Sequence, residues 1–278
     1  MKFVFLGDIV GRTGRVAVAK RMPEIRERLK PDFVVVNGEN AAGGFGITSD
    51  ICRDLFKAGV DVITGGNHSW DQREAFRFIE QEPRLMRPAN FPKGTPGRGV
   101  AVFETQAGKK VAIVNVMGRI FMDPLDDPFA AVETALGQHR LGQTADFVLV
   151  DVHAEATSEK MAMGHFADGK ASLVVGTHSH VPTADAQILP GGTAYQTDAG
   201  MCGDYNSVIG MRIEEPLRRF TKKINGGRFE AAKGEATICG VYVEADPVTG
   251  LANQVCPIRL GGRLASVWPD ERLAQMAG

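Results

Sequence analysis

The sequence predicts an α/β protein with two sheets packed between helices. Short apolar runs that end in glycine or a polar residue alternate with segments of helical spacing, the βαβ pattern of a mostly parallel sheet. The C-terminal third is strand-rich and adds a second set of pairings. The 278 residues are 44% hydrophobic, which allows a sizeable core. With no internal repeat and no low-complexity linker, one domain over residues 1–278 is expected.

Taken in order, Phe3–Leu6 is a compact strand followed by Gly7-Asp8. Gly11, Arg12, Thr13 and Gly14 read as a loop, and Val16 to Leu29 as a helix with charges on one face. Phe33–Asn37 is a strand ending in Gly38-Glu39-Asn40, and Gly43, Gly44 and Gly46 make a flexible loop. Thr48 or Ser49 caps a helix to about Ala58. Val60–Thr64 is a third strand, ending in Gly65-Gly66-Asn67-His68, and Asp71 is placed to cap a helix from Gln72 to about Glu80.

Pro83 to Gly99 reads as an ordered connection, and Val100–Thr105 and Lys110–Val116 as paired strands around Gly108. Asp126 or Asp127, with Pro128, opens a helix through about His139. Phe147–Val152 is a strand ending at His153, Ser158–Phe166 a helix, and Leu173–His180 a buried run that breaks at Gly176. Gln187–Leu189 and Thr193–Gln196 flank a hairpin turn at residues 190–192. Asp198–Tyr205 reads as a glycine-containing loop, and Thr237–Glu244 and Val255–Leu260 as strands joined around residues 247–250. The tail from about Asp270 looks peripheral.

The formal net charge of -1 argues against a strong electrostatic grip on long nucleic acid, though not against a small anion held by metal. Cys52, Cys202, Cys239 and Cys256 are scattered and suit reduced thiols. The opening apolar run is too short for a signal peptide and is interrupted by Asp8. No segment is long and apolar enough to span a bilayer. A cytoplasmic protein that uses no membrane is expected.

Chemistry concentrates at strand ends. Asp8, Glu39-Asn40, Asn67-His68, His153 and the His178/His180 pair each follow a predicted strand. Parallel strands bring their carboxyl ends to one edge, where α/β proteins bind ligands. His178 and His180 point the same way if the backbone stays extended; alone, the pair reads equally as metal ligands or as a strand cap. Together the five sites favour metal. Asp, Glu, Asn and three His suit a pair of transition ions better than calcium. A bridging carboxylate fits ions about 3.5–4 Å apart, and the excess positive charge attracts phosphate and acidifies bound water.

These residues resemble a known family. Gly7-Asp8, GGNH at 65–68, His153 after a strand and GTHSH at 176–180 look like the successive motifs of calcineurin-like metallophosphoesterases. Two departures are informative: Ile9-Val10 follow Asp8 where most members carry a histidine, and Gly38-Glu39-Asn40 replaces Gly-Asp. With DIVG, NGENAAGG, GNHSWD, VDVHAEATSEK, GTHSHVPTAD and TDAGMCGDYNSVIGM, the chain is similar to the YmdB-like branch over nearly its whole length.

That resemblance implies a four-layer α-β-β-α sandwich, a dinuclear site and phosphodiesterase activity on 2′,3′-cyclic nucleotides. It assigns Asp8, Asn40 and His180 to one ion, Glu39 as the bridge, and Asn67, His153 and His178 to the other. The missing first-motif histidine leaves Asn40 as the replacement ligand. The ions are two divalent or mixed-valence transition metals, iron or manganese first and zinc as a further option. A metal-activated hydroxide attacks phosphorus in line, and His68 resembles the catalytic histidine that protonates the departing ribose oxygen. The alternative for His68 is a role orienting a ligand.

His139 reads as a solvated helix end and His165 as a residue away from the metals. Arg218, Arg219, Lys222 and Lys223 read more simply as an exposed helix face than as an RNA contact. Cys202 is not needed as a nucleophile. A phosphomonoesterase or nucleotidase on the same centre, and a metal-loaded regulatory or RNA-associated protein, are the competing functions. The sequence leaves open a homo-oligomer.

Overall fold

A computed structural model describes residues 1–271. Its first strand, β1 (Lys2–Leu6), leads through Gly7 into the short β2 (Asp8–Ile9) and directly into helix α1 (Gly11–Leu29). The expected loop over residues 11–14 is therefore the first turn of that helix. Its glycines serve packing: a Cβ at Gly14 would meet the Cys202 carbonyl oxygen at 2.1 Å. Then follow β3 (Phe33–Asn37), α2 (Ser49–Lys57), β4 (Val62–Thr64) and α3 (Ala75–Gln81). The Thr48 hydroxyl accepts from Ile51 N–H and caps α2 as expected. Asp71 does not cap α3, which starts later with Glu74 at its N-cap and no side-chain cap bond.

The second half runs β5 (Val100–Glu104), β6 (Lys110–Met117), α4 (Pro128–Gln138), β7 (Phe147–His153), α5 (Thr157–Ala167) and β8 (Leu173–Thr177). Asp127 caps α4 through Phe129 and Ala130 N–H, with Pro128 in the first turn. The hairpin β9 (Gln187–Ile188) and β10 (Ala194–Gln196) follows, then β11 (Met201–Asp204), which lies inside the segment expected to be loop. Helix α6 (Glu214–Lys222) and the antiparallel pair β12 (Ala236–Ala245) and β13 (Ala252–Leu260) close the described chain. Asp270 and Glu271 pair with Arg28, and the rest of the tail expected to be peripheral lies outside the described residues.

Among the described residues the strands form two mixed sheets. One has seven strands in the order β2-β11-β12-β1-β3-β4, with β13 on β12; the other has six, in the order β5-β6-β7-β8-β10-β9. Period-two alternation decides which side chains face which layer. Phe3 and Phe5 of β1 meet Phe147 and Leu149 of β7 in the core between the sheets, while Val4 and Leu6 turn outward to Val18, Met22 and Ile25 of α1. Likewise Val148 and Val150 face Val132 of α4 and Met163 of α5. The result is helix, sheet, sheet, helix: the expected four-layer sandwich. Phe3 and Phe147 stack across the sheets at 4.2 Å between centroids and 8° between planes. No described helix is long and apolar enough to cross a membrane.

This stacking aligns two sheet edges. β1 and β3 are parallel neighbours in the first sheet, and β6, β7 and β8 in the second. Their carboxyl ends deliver Asp8, Glu39, His153 and His178 to one place.

Candidate metal centre

Asp8, Glu39, Asn40 and His153 are almost wholly buried, and His180 is nearly so. Two overlapping groups of possible metal ligands form among them. Glu39, His153 and His178 make one, and Asp8, Glu39 and His180 the other, with the ligand atoms of each within 4.8 Å of one another. Glu39 is common to both. Asn67 Oδ1 lies 2.9 Å from His153 Nε2, beside the first group. Asn40 Nδ2 donates to Glu39 Oε1 at 2.7 Å and lies 3.2 Å from His180 Nε2, beside the second. Here the amide nitrogen faces the cluster; a half-turn of the amide exchanges it for the oxygen a cation needs. All seven residues named as ligands from the sequence therefore meet in one cluster.

Hydrogen bonds outside the cluster fix which ring nitrogens face it. His153 Nδ1 lies 2.9 Å from Thr177 Oγ1, which donates to Asp151 Oδ1 at 2.8 Å. That leaves His153 Nε2 for the centre. His180 Nδ1 donates to the Ile209 carbonyl at 2.7 Å, leaving its Nε2 for the centre. His178 Nε2 lies 3.2 Å from Glu155 Oε2, so its Nδ1 faces inward. Such outer partners set ring orientation in metal sites. Asp151, Thr177, Glu155 and Ile209 were not singled out in the sequence. Asp151 precedes His153 by two in a strand and so points the same way, a signal that period-two reading could have used.

The loop carrying His178 and His180 is not extended. Both residues take positive φ, 91° and 68°, so the extended backbone that would point them the same way is not what brings them together. What turns the chain is Ser179 between them. Its N–H donates to Asp198 Oδ2 at 3.1 Å, and its hydroxyl accepts from Lys160 Nζ at 2.8 Å. Lys160 and Asp198 are themselves a fully buried ion pair at 2.7 Å.

The cluster holds too many acceptors for its protons. His153 Nε2 faces Glu39 Oε1 at 3.3 Å, Asn67 Oδ1 at 2.9 Å and His178 Nδ1 at 3.1 Å. Asp8 Oδ1 is buried with no hydrogen-bond partner. Burial pushes the Asp8 carboxyl above its ordinary range, against the pull of His180 and His153. For Glu39, burial works upward, but His153 and the His68 N–H hold the group well below the usual range. Burial alone would lower His153, yet Glu39, with Asp8 and Asp151 adding to it, outweighs that and holds the ring at about 9. Burial and that neighbouring charge push His178 down to about 3. Two buried carboxyl groups and three imidazole rings thus converge on one point. Divalent cations, with lone pairs directed at them from N and O, are what such a donor set fits.

Gly66 keeps the centre open. A Cβ there would sit 2.3 Å from Glu39 Oε2 and 2.4 Å from His153 Nε2. His68 follows Asn67 at the rim. Its backbone N–H donates to Glu39 Oε2 at 3.0 Å, while its ring Nδ1 lies 2.8 Å from Asp71 Oδ2 and its ring packs edge-on against Phe45 at 5.1 Å. Asp71, expected as a helix cap, is instead the partner of this ring. His68, His178, His180, Glu39 and Asn40 share a cavity of about 410 Å³.

The remaining candidates lie elsewhere. His139 is the C-cap of α4 and His165 an exposed residue of α5. Cys202 is fully buried and donates to the Cys239 carbonyl, and burial raises its thiol well above the ordinary value.

A family model described as "YmdB-like protein" matches residues 4–258. A 2′,3′-cyclic-nucleotide 2′-phosphodiesterase of Bacillus subtilis (strain 168) is 46% identical over 255 residues, 92% of this chain and 95% of that one. A protein of Mycoplasma pneumoniae described as a putative phosphatase/phosphodiesterase is 37% identical over 255 residues, 88% of either chain. Among solved structures, a hypothetical protein from Thermus thermophilus superposes with a TM-score of 0.87 at 46% identity, covering 94% of this chain and 99% of that one. A novel phosphatase from Mycoplasma pneumoniae gives a TM-score of 0.87 at 35% identity, covering 94% and 93%.

Proposed function

The chain belongs to the YmdB-like family of metallophosphoesterases, and from that premise we propose that it is a phosphodiesterase that opens 2′,3′-cyclic nucleotides to nucleoside monophosphates. The observation that carries this reading is the pair of ligand groups sharing Glu39 at the head of the cavity that His68 lines. The choice of cyclic substrate leans on the B. subtilis relative. The whole chain acts as one domain in this reading. Its four cysteines are scattered and buried, which suits a reducing compartment such as the cytoplasm.

Asp8, Asn40 and His180 would hold one ion, Asn67, His153 and His178 the other, and Glu39 both. Two divalent transition ions held there, iron or manganese by preference, would supply positive charge for the phosphate and lower the pKa of bound water. The protein's part is placement. Thr177 and the Ile209 carbonyl hold the His153 and His180 rings so that Nε2 points inward. The buried Lys160–Asp198 pair holds the loop that carries His178 and His180.

His68 acts on the leaving group. Nδ1–H donates to Asp71 Oδ2, leaving Nε2 for the cavity. Water adds to phosphorus and gives up a proton to solvent, the bond from phosphorus to one ribose oxygen breaks, and His68 delivers its Nε2 proton to that oxygen and regains one from solvent. The five-membered cyclic ester is strained, which favours it over linear diesters.

A panel of 2′,3′-cyclic nucleotides, 3′,5′-cyclic nucleotides and monoesters tests the reading with the metal-loaded enzyme. Turnover should be highest on the 2′,3′-cyclic esters. Strong monoester hydrolysis with none on cyclic diesters would identify a nucleotidase instead.

A further inference from the structure

Beyond His68, His178 and His180, the 410 Å³ cavity continues over a wall of hydrocarbon. Its volume lies within the range of small-molecule sites. Phe45, Ile209, Met211, Phe220 and Phe229 build that wall. Phe220 is 76% exposed and Ile209 53% exposed, so two large apolar side chains stand open to water at its mouth. Ile209 also holds φ at 47°, a costly conformation for a β-branched residue. Its carbonyl orients His180 while its side chain faces the cavity, so one strained residue ties the apolar wall to the centre. The Arg219 guanidinium lies 3.9 Å over the Phe229 ring and is pinned by Glu215 and the Gly227 carbonyl. That ring is therefore backed and held in place.

A phosphate group alone makes no use of such a wall; a flat aromatic body attached to it does. We propose that the wall is a nucleobase subsite, in which the base of the substrate stacks on the Phe220 and Phe229 rings while its phosphate reaches the histidine edge. The proposal rests on the phosphodiesterase reading and adds how the nucleoside is held. Among the described residues, the wall away from the histidine edge offers rings and alkyl groups, with Arg219 as its one polar side chain. Stacking of this kind accepts every base, because each has a π-face. Purine and pyrimidine nucleotides should therefore be turned over at similar rates.

The test compares Phe220→Ala and Phe220→Tyr with the wild-type holoenzyme. The probes are adenosine 2′,3′-cyclic phosphate and glycerol 1,2-cyclic phosphate, which has the same strained ring and no base. Phe220 is largely exposed, so its truncation should leave the fold intact. Phe220→Ala should reduce the preference for the nucleotide, as a ratio of kcat/KM values, by about 5- to 100-fold, chiefly through KM, and Phe220→Tyr should restore it. An unchanged ratio in Phe220→Ala overturns the subsite. If the wild type opens neither cyclic ester, the phosphodiesterase reading has failed. Calorimetric binding of AMP against ribose 5-phosphate then decides the subsite separately. Selective loss of AMP affinity in Phe220→Ala supports it, and equal affinities across wild type and variant overturn it.

Discussion

His68 Nδ1 lies 2.8 Å from Asp71 Oδ2, so the histidine at the rim of the centre is paired with a carboxylate three residues ahead of it. The pair sits in the turns between β4 and α3, outside regular structure. That arrangement gives His68 one nitrogen held by protein and one left for the cavity.

The first prediction follows from that division. His68→Ala should keep both metal ions and slow cyclic-nucleotide turnover by roughly 10²–10⁴-fold, the usual worth of a positioned acid. The loss should shrink for a nitrophenyl ester, whose leaving oxygen needs little protonation. Asp71→Asn should show the same leaving-group dependence with a smaller loss. Metal analysis and rates on the two substrates check this; loss of an ion from His68→Ala would make His68 a ligand instead.

A second prediction concerns the loop behind the centre. Lys160 and Asp198 are both fully buried, and each also bonds to Ser179. Lys160→Met strands the Asp198 charge and should destabilise the protein by about 3–5 kcal/mol in urea unfolding. Adding Asp198→Asn removes that charge and should return part of the loss. If the double variant is as unstable as the sum of the two singles, the pair does not act as a unit.

Gly66 supports a third. Its Cβ position is already occupied by Glu39 and His153 atoms. Gly66→Ala should therefore lose metal and activity together while its circular dichroism stays native. Full metal retention in that variant would mean that Glu39 and His153 can yield without cost to the centre.

Much of this was legible in the sequence because strand ends carry their own signature. Apolar runs closing on Asp8, Glu39, Asn67, His153 and His178 mark the sheet edge whatever the tertiary detail. Apolar runs alternating with helical segments, and the strand-rich C-terminal third, made the two sheets readable; which residues of Phe3–Leu6 and Phe147–Val152 face which layer was not. What failed depended on contacts distant in sequence. Gly11 to Gly14 looked like a loop because glycine usually breaks helices, but Gly14 is dictated by the close approach of Cys202. Asp71 looked like a cap because caps are local, yet the ring of His68 claimed it. The turn at His178 and His180 was set by Lys160 and Asp198, each 19 residues from Ser179. The apolar wall draws on α6 and the segments around it, and no local pattern announces it.

The central claim is that two ions at this cluster open a 2′,3′-cyclic nucleotide. It is tested most directly by titrating metal-free protein with Mn²⁺ while following hydrolysis of adenosine 2′,3′-cyclic phosphate. The account predicts a rate that rises from near zero and breaks at two equivalents per chain. A break at one equivalent, or a rate indifferent to added metal, would contradict it.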